Sequence, residues 1–256
     1  DELTGKITKD EKLTQVDGIL RESSRIKNRV FKRIRRLEQL MGLAFDQGSE
    51  APSLAGFVFA NHKGELFLKA DGESQARRIQ SVNGIASNPV FSPDATRIAF
   101  CMIEKDDLSK RNHIWVVNVD GTGLTILARR NWRGYTTQPS HRPAWSPDGK
   151  RICYVDGYPQ KNTQCLWSIS SRGGRPNRIT TLEDAVDAHP SWSPVLPDGH
   201  TRIVFTRIEP GKGRFAKGLW TVDPTKGEES AQKLFPYGAG WGVSIPRWSP
   251  DGNSIA

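Results

Sequence analysis

Between residues 52 and 256 the apolar residues come in short runs that alternate with polar ones at a period of two. Examples are Arg-Ile-Ala-Phe-Cys at 97–101, Arg-Ile-Cys-Tyr-Val at 151–155 and Arg-Ile-Val-Phe at 202–205. Alternation over four to eight residues predicts half-buried β-strands rather than helices. Each run follows the same turn signal, and the combined unit recurs as NPVFSPDATRIAF (Asn88 to Phe100), RPAWSPDGKRICYV (Arg142 to Val155), HPSWSPVLPDGHTRIVF (His189 to Phe205) and IPRWSPDGNSIA (Ile245 to Ala256). The turn chemistry is explicit. Proline presets φ near −65°, aspartate bonds the local backbone, and glycine accepts the left-handed conformation that returns the chain into a neighbouring strand.

The serines that open these turns, Ser92, Ser146, Ser193 and Ser249, lie 54, 47 and 56 residues apart, which leaves room for four short strands per unit. A third strand carries its own aromatic at Phe67, Trp115, Trp167 and Trp220, in the segments ELFLKADG, HIWVVNVDG, CLWSIS and GLWTVD. Fourth strands are expected in ARRIQSV, LTILAR, NRITTL and AQKLFPY. Repeats of this length are the mark of a solenoid or a propeller. The expected class is all-β, a β-propeller of four-stranded antiparallel blades with about four blades present. Phe91, Trp145, Trp192 and Trp248 before the turns, with the third-strand aromatics, are expected to pack sheet against sheet. Trp132 and Trp241 fall outside the repeat and are expected to be exposed binding candidates.

The pattern changes before residue 52. Over about Lys9 to Phe45 there is no proline, and Ile19, Ile26, Val30, Ile34, Leu37 and Met41 recur at spacings of seven, four, four, three and four. This predicts an amphipathic helix, ended by Gly42 and followed by a linker through Gly48 and Pro52. The expected domains are a helical arm and linker over 1–51 and a repeat domain over 52–256. The arm's polar face holds Arg21, Arg25, Lys27, Arg29, Lys32, Arg33, Arg35 and Arg36 against one acid, Glu22, a local charge of +7 in a chain of +9. An acidic protein, an anionic membrane surface or nucleic acid would neutralise it, and so would solvent. The absence of interleaved aromatics ranks nucleic acid last, and an acidic protein partner is preferred.

Composition agrees with many short strands: 24 glycines, 16 prolines and 8 tryptophans in 256 residues with 36% hydrophobic content. No apolar run approaches the ~20 residues that cross a bilayer as a helix. Three cysteines argue against a disulfide framework. Cys101 and Cys153 sit in apolar strand contexts, and a Cys153–Cys165 pair across one hairpin is permitted but not required.

No G-x-S-x-G, H-E-x-x-H, phosphate-loop or C-x-x-C pattern occurs in the 256 residues, so no catalytic residue, metal site or cofactor is assigned. One polar constellation does emerge. The position before the proline of each innermost strand holds Asn88, Arg142, His189 and Ile245, with His141 and Asp187 nearby. Innermost strands line a propeller's channel, so Asn88, His141, Arg142, Asp187 and His189 are channel-mouth candidates. Such groups fit an anion, a metal or a peptide terminus, and fit equally a hydrated lining.

The four repeats, with an aromatic, Ser-Pro-Asp-Gly and a strand of the Arg-Ile-Ala-Phe type, resemble the TolB-like propeller family over about 52–256. Two copies depart from its pattern, with Ala95 in place of glycine and with the third turn split between Pro194 and Pro197-Asp198-Gly199. The resemblance implies a ring usually of six blades, so the ring is expected to be incomplete in this chain and completed by residues beyond Ala256. It also implies protein partners in a multiprotein assembly, often in a bacterial cell envelope. The function expected is a non-catalytic interaction scaffold. The alternative is the substrate-gating propeller of a prolyl-oligopeptidase-like hydrolase whose catalytic domain lies elsewhere.

Overall fold

The computed structural model describes residues 56–79, 82–106, 111–129, 142–158, 163–209, 217–235 and 245–256, all within one unit, Ala51–Ala256. The basic segment, the helix expected over residues 9–45, Trp132, Trp241 and His141 lie outside the described residues.

The period-two runs form strands in the order the repeat requires. β1 (Gly56–Ala60), β2 (Leu66–Ala70) and β3 (Arg77–Arg78) make a three-stranded sheet. β4 (Gly84–Phe91), β5 (Arg97–Glu104), β6 (His113–Asn118) and β7 (Thr125–Ala128) make a four-stranded meander. A third sheet contains β8 (Ala144–Trp145), β9 (Arg151–Tyr158), β10 (Thr163–Ser170), β11 (Asn177–Arg178), β12 (Val186–Trp192), β13 (Ile203–Ile208), β14 (Lys217–Val222) and β15 (Gln232–Phe235). Its two antiparallel halves, β8 to β11 and β12 to β15, are joined by a single parallel pair, Gln164 with Val186. Residues 245–256 add one bridge, Trp248 with Ile255.

Each repeat turn is locked by its serine. The hydroxyl of Ser146 donates to Asp148 Oδ1 at 2.6 Å and accepts the Arg151 N–H at 2.9 Å. Ser92 and Ser249 repeat both contacts, donating to Asp94 and Asp251 at 2.5 Å and accepting from Arg97 and Ser254 at 3.0 Å. The split third turn keeps only half of this. Ser193 still accepts from Arg202 at 2.8 Å but donates to the Pro194 carbonyl, because the inserted residues move the aspartate to position 198. In that longer turn Asp198 still receives the His200 N–H at 3.0 Å. The Ser146 hydroxyl, followed by the Lys150 amide, holds the Asp148 carboxyl below its ordinary value.

With the turns set, each middle strand presents opposite faces to two neighbouring sheets. Ile98, Phe100 and Met102 of β5 pack with Leu66 and Leu68 of β2. Ala99 and Cys101 of the same strand pack with Trp145, Ile152 and Tyr154. In β9 the complementary face, Cys153 and Val155, meets Ile203 and Phe205 of β13. Cys101 and Cys153 are therefore buried packing residues.

The third-strand aromatics Trp115, Trp167 and Trp220 all point to the core shared with the preceding sheet. Phe67 occupies the same repeat position in the first sheet, where the described residues supply no preceding sheet. It stacks on Phe59 instead, with centroids 5.5 Å apart, and Phe57 beside them is 51% exposed.

The permitted Cys153–Cys165 disulfide does not form. The strand register pairs Cys153 with Ser168 and Cys165 with Asp156, so the two thiols are not opposite one another and all three cysteines are free. Burial raises the Cys153 thiol well above its ordinary pKa, which keeps it protonated and inert.

Ala95 takes the left-handed conformation, φ 56°, that Gly149 (67°), Gly199 (78°) and Gly252 (72°) take in the other turns. A side chain there costs roughly 1–2 kcal/mol, of which glycine returns part as lost chain entropy. Ala95→Gly is therefore expected to stabilise the protein by about 0.5–1 kcal/mol in urea unfolding, and Gly149→Ala to destabilise it by a similar amount.

Candidate functional site

The innermost strands share a distortion. In β4 the pairing register shifts between Ser87 and Val90, and in β12 between Ala188 and Ser191, so that Asn88-Pro89 and His189-Pro190 each oppose a single residue. These are β-bulges, which absorb the proline's missing N–H and turn the strand. The residue before each proline is left-handed: Asn88 φ 52°, His189 φ 55° and Ile245 φ 58°. Non-glycine residues seldom adopt this region, and a β-branched one such as isoleucine least of all. Three recurrences at one repeat position show a designed feature of the inner strands.

The bulge separates two polar neighbours of β12. Asp187 is 1% exposed and faces the interior, where Arg207 of β13, also 1% exposed, bonds it through Nε at 2.6 Å and Nη2 at 2.9 Å. Arg207 also donates to Glu228 through Nη1 at 2.6 Å and Nη2 at 3.0 Å. Its plane lies 5.1 Å from the Phe205 ring and 5.0 Å from Trp220. Burial opposes the Arg207 charge, yet the bonds from Asp187 and Glu228 hold its pKa above the ordinary value. Burial likewise pushes the Asp187 carboxyl up, against the pull of Arg207.

Glu228 arrives on the short 3-10 turn Gly227–Ser230. Gly227 has φ 70°, and a Cβ there would stand 3.0 Å from the Ile179 carbonyl, so the close approach requires glycine. Glu228 also accepts the Thr181 N–H at 2.9 Å, tying the two halves of the sheet together. Asp187 thus has both oxygens engaged inside the protein and is not presented at a channel mouth. Neither Arg207 nor Glu228 was singled out by the sequence. Repeat alignment carried the signal, because Arg207 stands where β5 has Met102, a fully buried core residue.

His189 is 5% exposed. Its Nδ1 lies 2.9 Å from the Thr206 hydroxyl, which donates to the Ala188 carbonyl at 3.2 Å, so Nδ1 carries the ring proton of the neutral imidazole. Burial, then Lys217, Arg247 and Arg142, push its pKa down to about 4. Arg142 and Asn88 are half-buried on the same inner layer. Three of the five channel candidates are therefore held on the bulges or immediately before β8, while Asp187 is withdrawn into its ion pair. Among the described residues, no group of three His, Cys, Asp or Glu side chains could hold a metal ion.

A family model, the TolB beta propeller domain, matches residues 38–230. The chain belongs to this TolB propeller family. Among curated proteins, it is 33% identical to the Tol-Pal system protein TolB of Zymomonas mobilis over 85 residues, 33% of this chain and 17% of that protein. It is 26% identical to the uncharacterized peptidase YuxL of Bacillus subtilis over 128 residues, 49% of this chain and 18% of that one. The chain thus spans less than a fifth of the length of these relatives. Among solved structures, a putative TolB from Agrobacterium tumefaciens superposes with a TM-score of 0.57 at 20% identity, covering 76% of this chain and 62% of that one. At that identity the likeness shows the TolB propeller fold alone.

Two outcomes test this site. Arg207→Met leaves Asp187 and Glu228 without their cation in the interior and is expected to cost about 3–5 kcal/mol in denaturant unfolding. His189 has a folded pKa of about 4 against 6.5 unfolded, so the unfolded chain binds the extra proton between those values. The contribution is full at neutral pH and is lost as pH falls from 6.5 toward 4, amounting to about 3 kcal/mol in all. His189→Asn, which keeps a donor near Nδ1 and tolerates the left-handed backbone, is expected to remove that slope from stability measured against pH.

Proposed function

We propose that this chain is a non-catalytic platform for protein–protein assembly, with the propeller as a rigid surface and the basic segment docking an acidic protein partner. The match to the TolB beta propeller domain carries this reading. The Zymomonas relative named as a Tol-Pal system protein supports it. In this reading the three-stranded sheet, the four-stranded meander and the two halves of the third sheet are successive blades. Residues 245–256 open the next blade, and residues 1–51 form the arm. Arg21, Arg25, Lys27, Arg29, Lys32, Arg33, Arg35 and Arg36 supply the charge for the partner, and Trp132 and Trp241 add aromatic surface.

The fold supplies what a platform needs. Sheets stacked through shared cores resist deformation, so a partner meets a preorganised surface and little ordering cost is added on binding. An arm carrying seven net positive charges over sixteen residues speeds encounter with an acidic partner and makes it salt-dependent.

A second reading, a substrate-gating propeller of a serine hydrolase, is favoured by the identity with the Bacillus peptidase. One preparation separates the two. The full-length gene product, purified gently from its native source, is expected to carry a stoichiometric acidic protein that Arg29→Gln, Arg33→Gln and Arg36→Gln together release, and to resist labelling by a fluorophosphonate. A monomer without partners sinks the platform reading, and a labelled serine supports the hydrolase.

A further inference from the structure

Two arginines beside the inner strand β12 have no ion-pair partner among the described residues. Arg142 precedes Pro143 at the entry to β8, and Arg247 follows Pro246 in the next inner segment. β8 packs beside β12. The segment bearing Arg247 docks on the same strand through the Trp248 N–H, 3.3 Å from the Ser191 hydroxyl. His189 of β12 is within electrostatic reach of both: Arg247, Arg142 and also Lys217 at the start of β14 disfavour its protonated form. Arg142 likewise disfavours the charge of Arg247.

Neither arginine is satisfied. Arg142 Nε and Arg247 Nη2 are buried, and neither has a hydrogen-bond partner among the described residues. The one side-chain bond of Arg247 runs from Nη1 to the carbonyl of its own neighbour, Pro246, at 3.0 Å. Asp187, a buried carboxylate on β12, is already paired with Arg207. The chain segments that adjoin these residues in sequence, 130–141, 210–216 and 236–244, contain Arg130, Arg133, His141, Lys212 and Arg214 and no aspartate or glutamate. A buried guanidinium N–H without an acceptor is costly.

We propose that Arg142 and Arg247 form an oxyanion site beside His189 of the inner strand β12, taking the carboxylate or phosphate group of a ligand. Guanidinium forks match the paired oxygens of either group, and a partly buried setting strengthens each charge-assisted bond. His189 remains neutral and keeps the proton on Nδ1 for Thr206, so it shapes the wall and contributes no charge at neutral pH. The left-handed backbone at His189 and Ile245 sets the strand course on either side of the site.

Calorimetric titration of the full chain with sodium phosphate and, separately, sodium acetate tests the assignment, each against sodium chloride at the same ionic strength. Saturable binding of phosphate, acetate or both above the chloride control is expected, and the stronger of the two names the ligand's anionic group. Arg142→Gln and Arg247→Gln are each expected to weaken it about tenfold, the worth of one charge-assisted bond, while Arg172→Gln, on a distant exposed turn, leaves it unchanged. If a variant fails to fold, the unsubstituted chain decides alone. No saturable binding beyond chloride overturns the proposal, as does undiminished affinity in folded Arg142→Gln and Arg247→Gln.

Discussion

A serine hydroxyl that both donates to an aspartate and accepts a backbone N–H holds three of the four repeat turns closed, and the rest of the fold follows from that constraint. Because the hydroxyl of Ser146 reaches the amide of Arg151, the strand leaving the turn starts in a fixed register. With a side-chain period of two, one residue of slip would exchange every inward and outward group. Register therefore decides that Ile152 and Tyr154 face one sheet while Cys153 and Val155 face the next. The same lock, repeated at Ser92, lets β5 serve two cores at once as β9 does. Where insertion breaks the aspartate contact, Ser193 keeps the amide bond, and that bond preserves the register of β13.

The inner strands obey a second constraint. A proline in a paired strand has no N–H to give, and the strand bulges at Asn88-Pro89 and His189-Pro190, with the preceding residue in the left-handed region. That geometry lifts His189 out of the simple alternation while Asp187, before the bulge, stays directed inward to Arg207. Arg207, Asp187 and Glu228 then bind the end of one half-sheet to the next through the Thr181 amide. Replacing such a network with apolar side chains is often neutral or stabilising, whereas removing one member is not. Its clearest consequence is organisational: it engages both oxygens of Asp187 with Arg207, so that this carboxylate is not free for Arg142 or Arg247.

These two constraints produce a frame of sheets with shared cores, within a family whose propeller is shared by proteins of different kinds. A Tol-Pal component and a peptidase both carry stretches like this one. The frame is therefore separable from the activity of any whole protein that contains it. In this chain a basic run occupies residues 21–36, and Arg142 and Arg247 lie beside the inner strand β12.

The all-β class, the repeat and its turns were legible in the sequence because they rest on local rules. Proline, aspartate and glycine have their effects within four residues, and alternation shows itself within eight. The aromatics Trp145 and Trp192 could be assigned to packing for the same reason, since the repeat places them in register. The site was less legible. Residue spacing identified the pre-proline position but could not show that Asp187 and His189, two residues apart, part company at a bulge, or that Arg207 and Glu228, 21 residues apart, meet inside the protein. Nor could it show that Cys153 lies opposite Ser168 and not Cys165. The sequence by itself determined the strands and their turns, since those depend on neighbours along the chain. Only the tertiary structure decided which charges are paired and which are left over, since burial and pairing depend on neighbours across sheets.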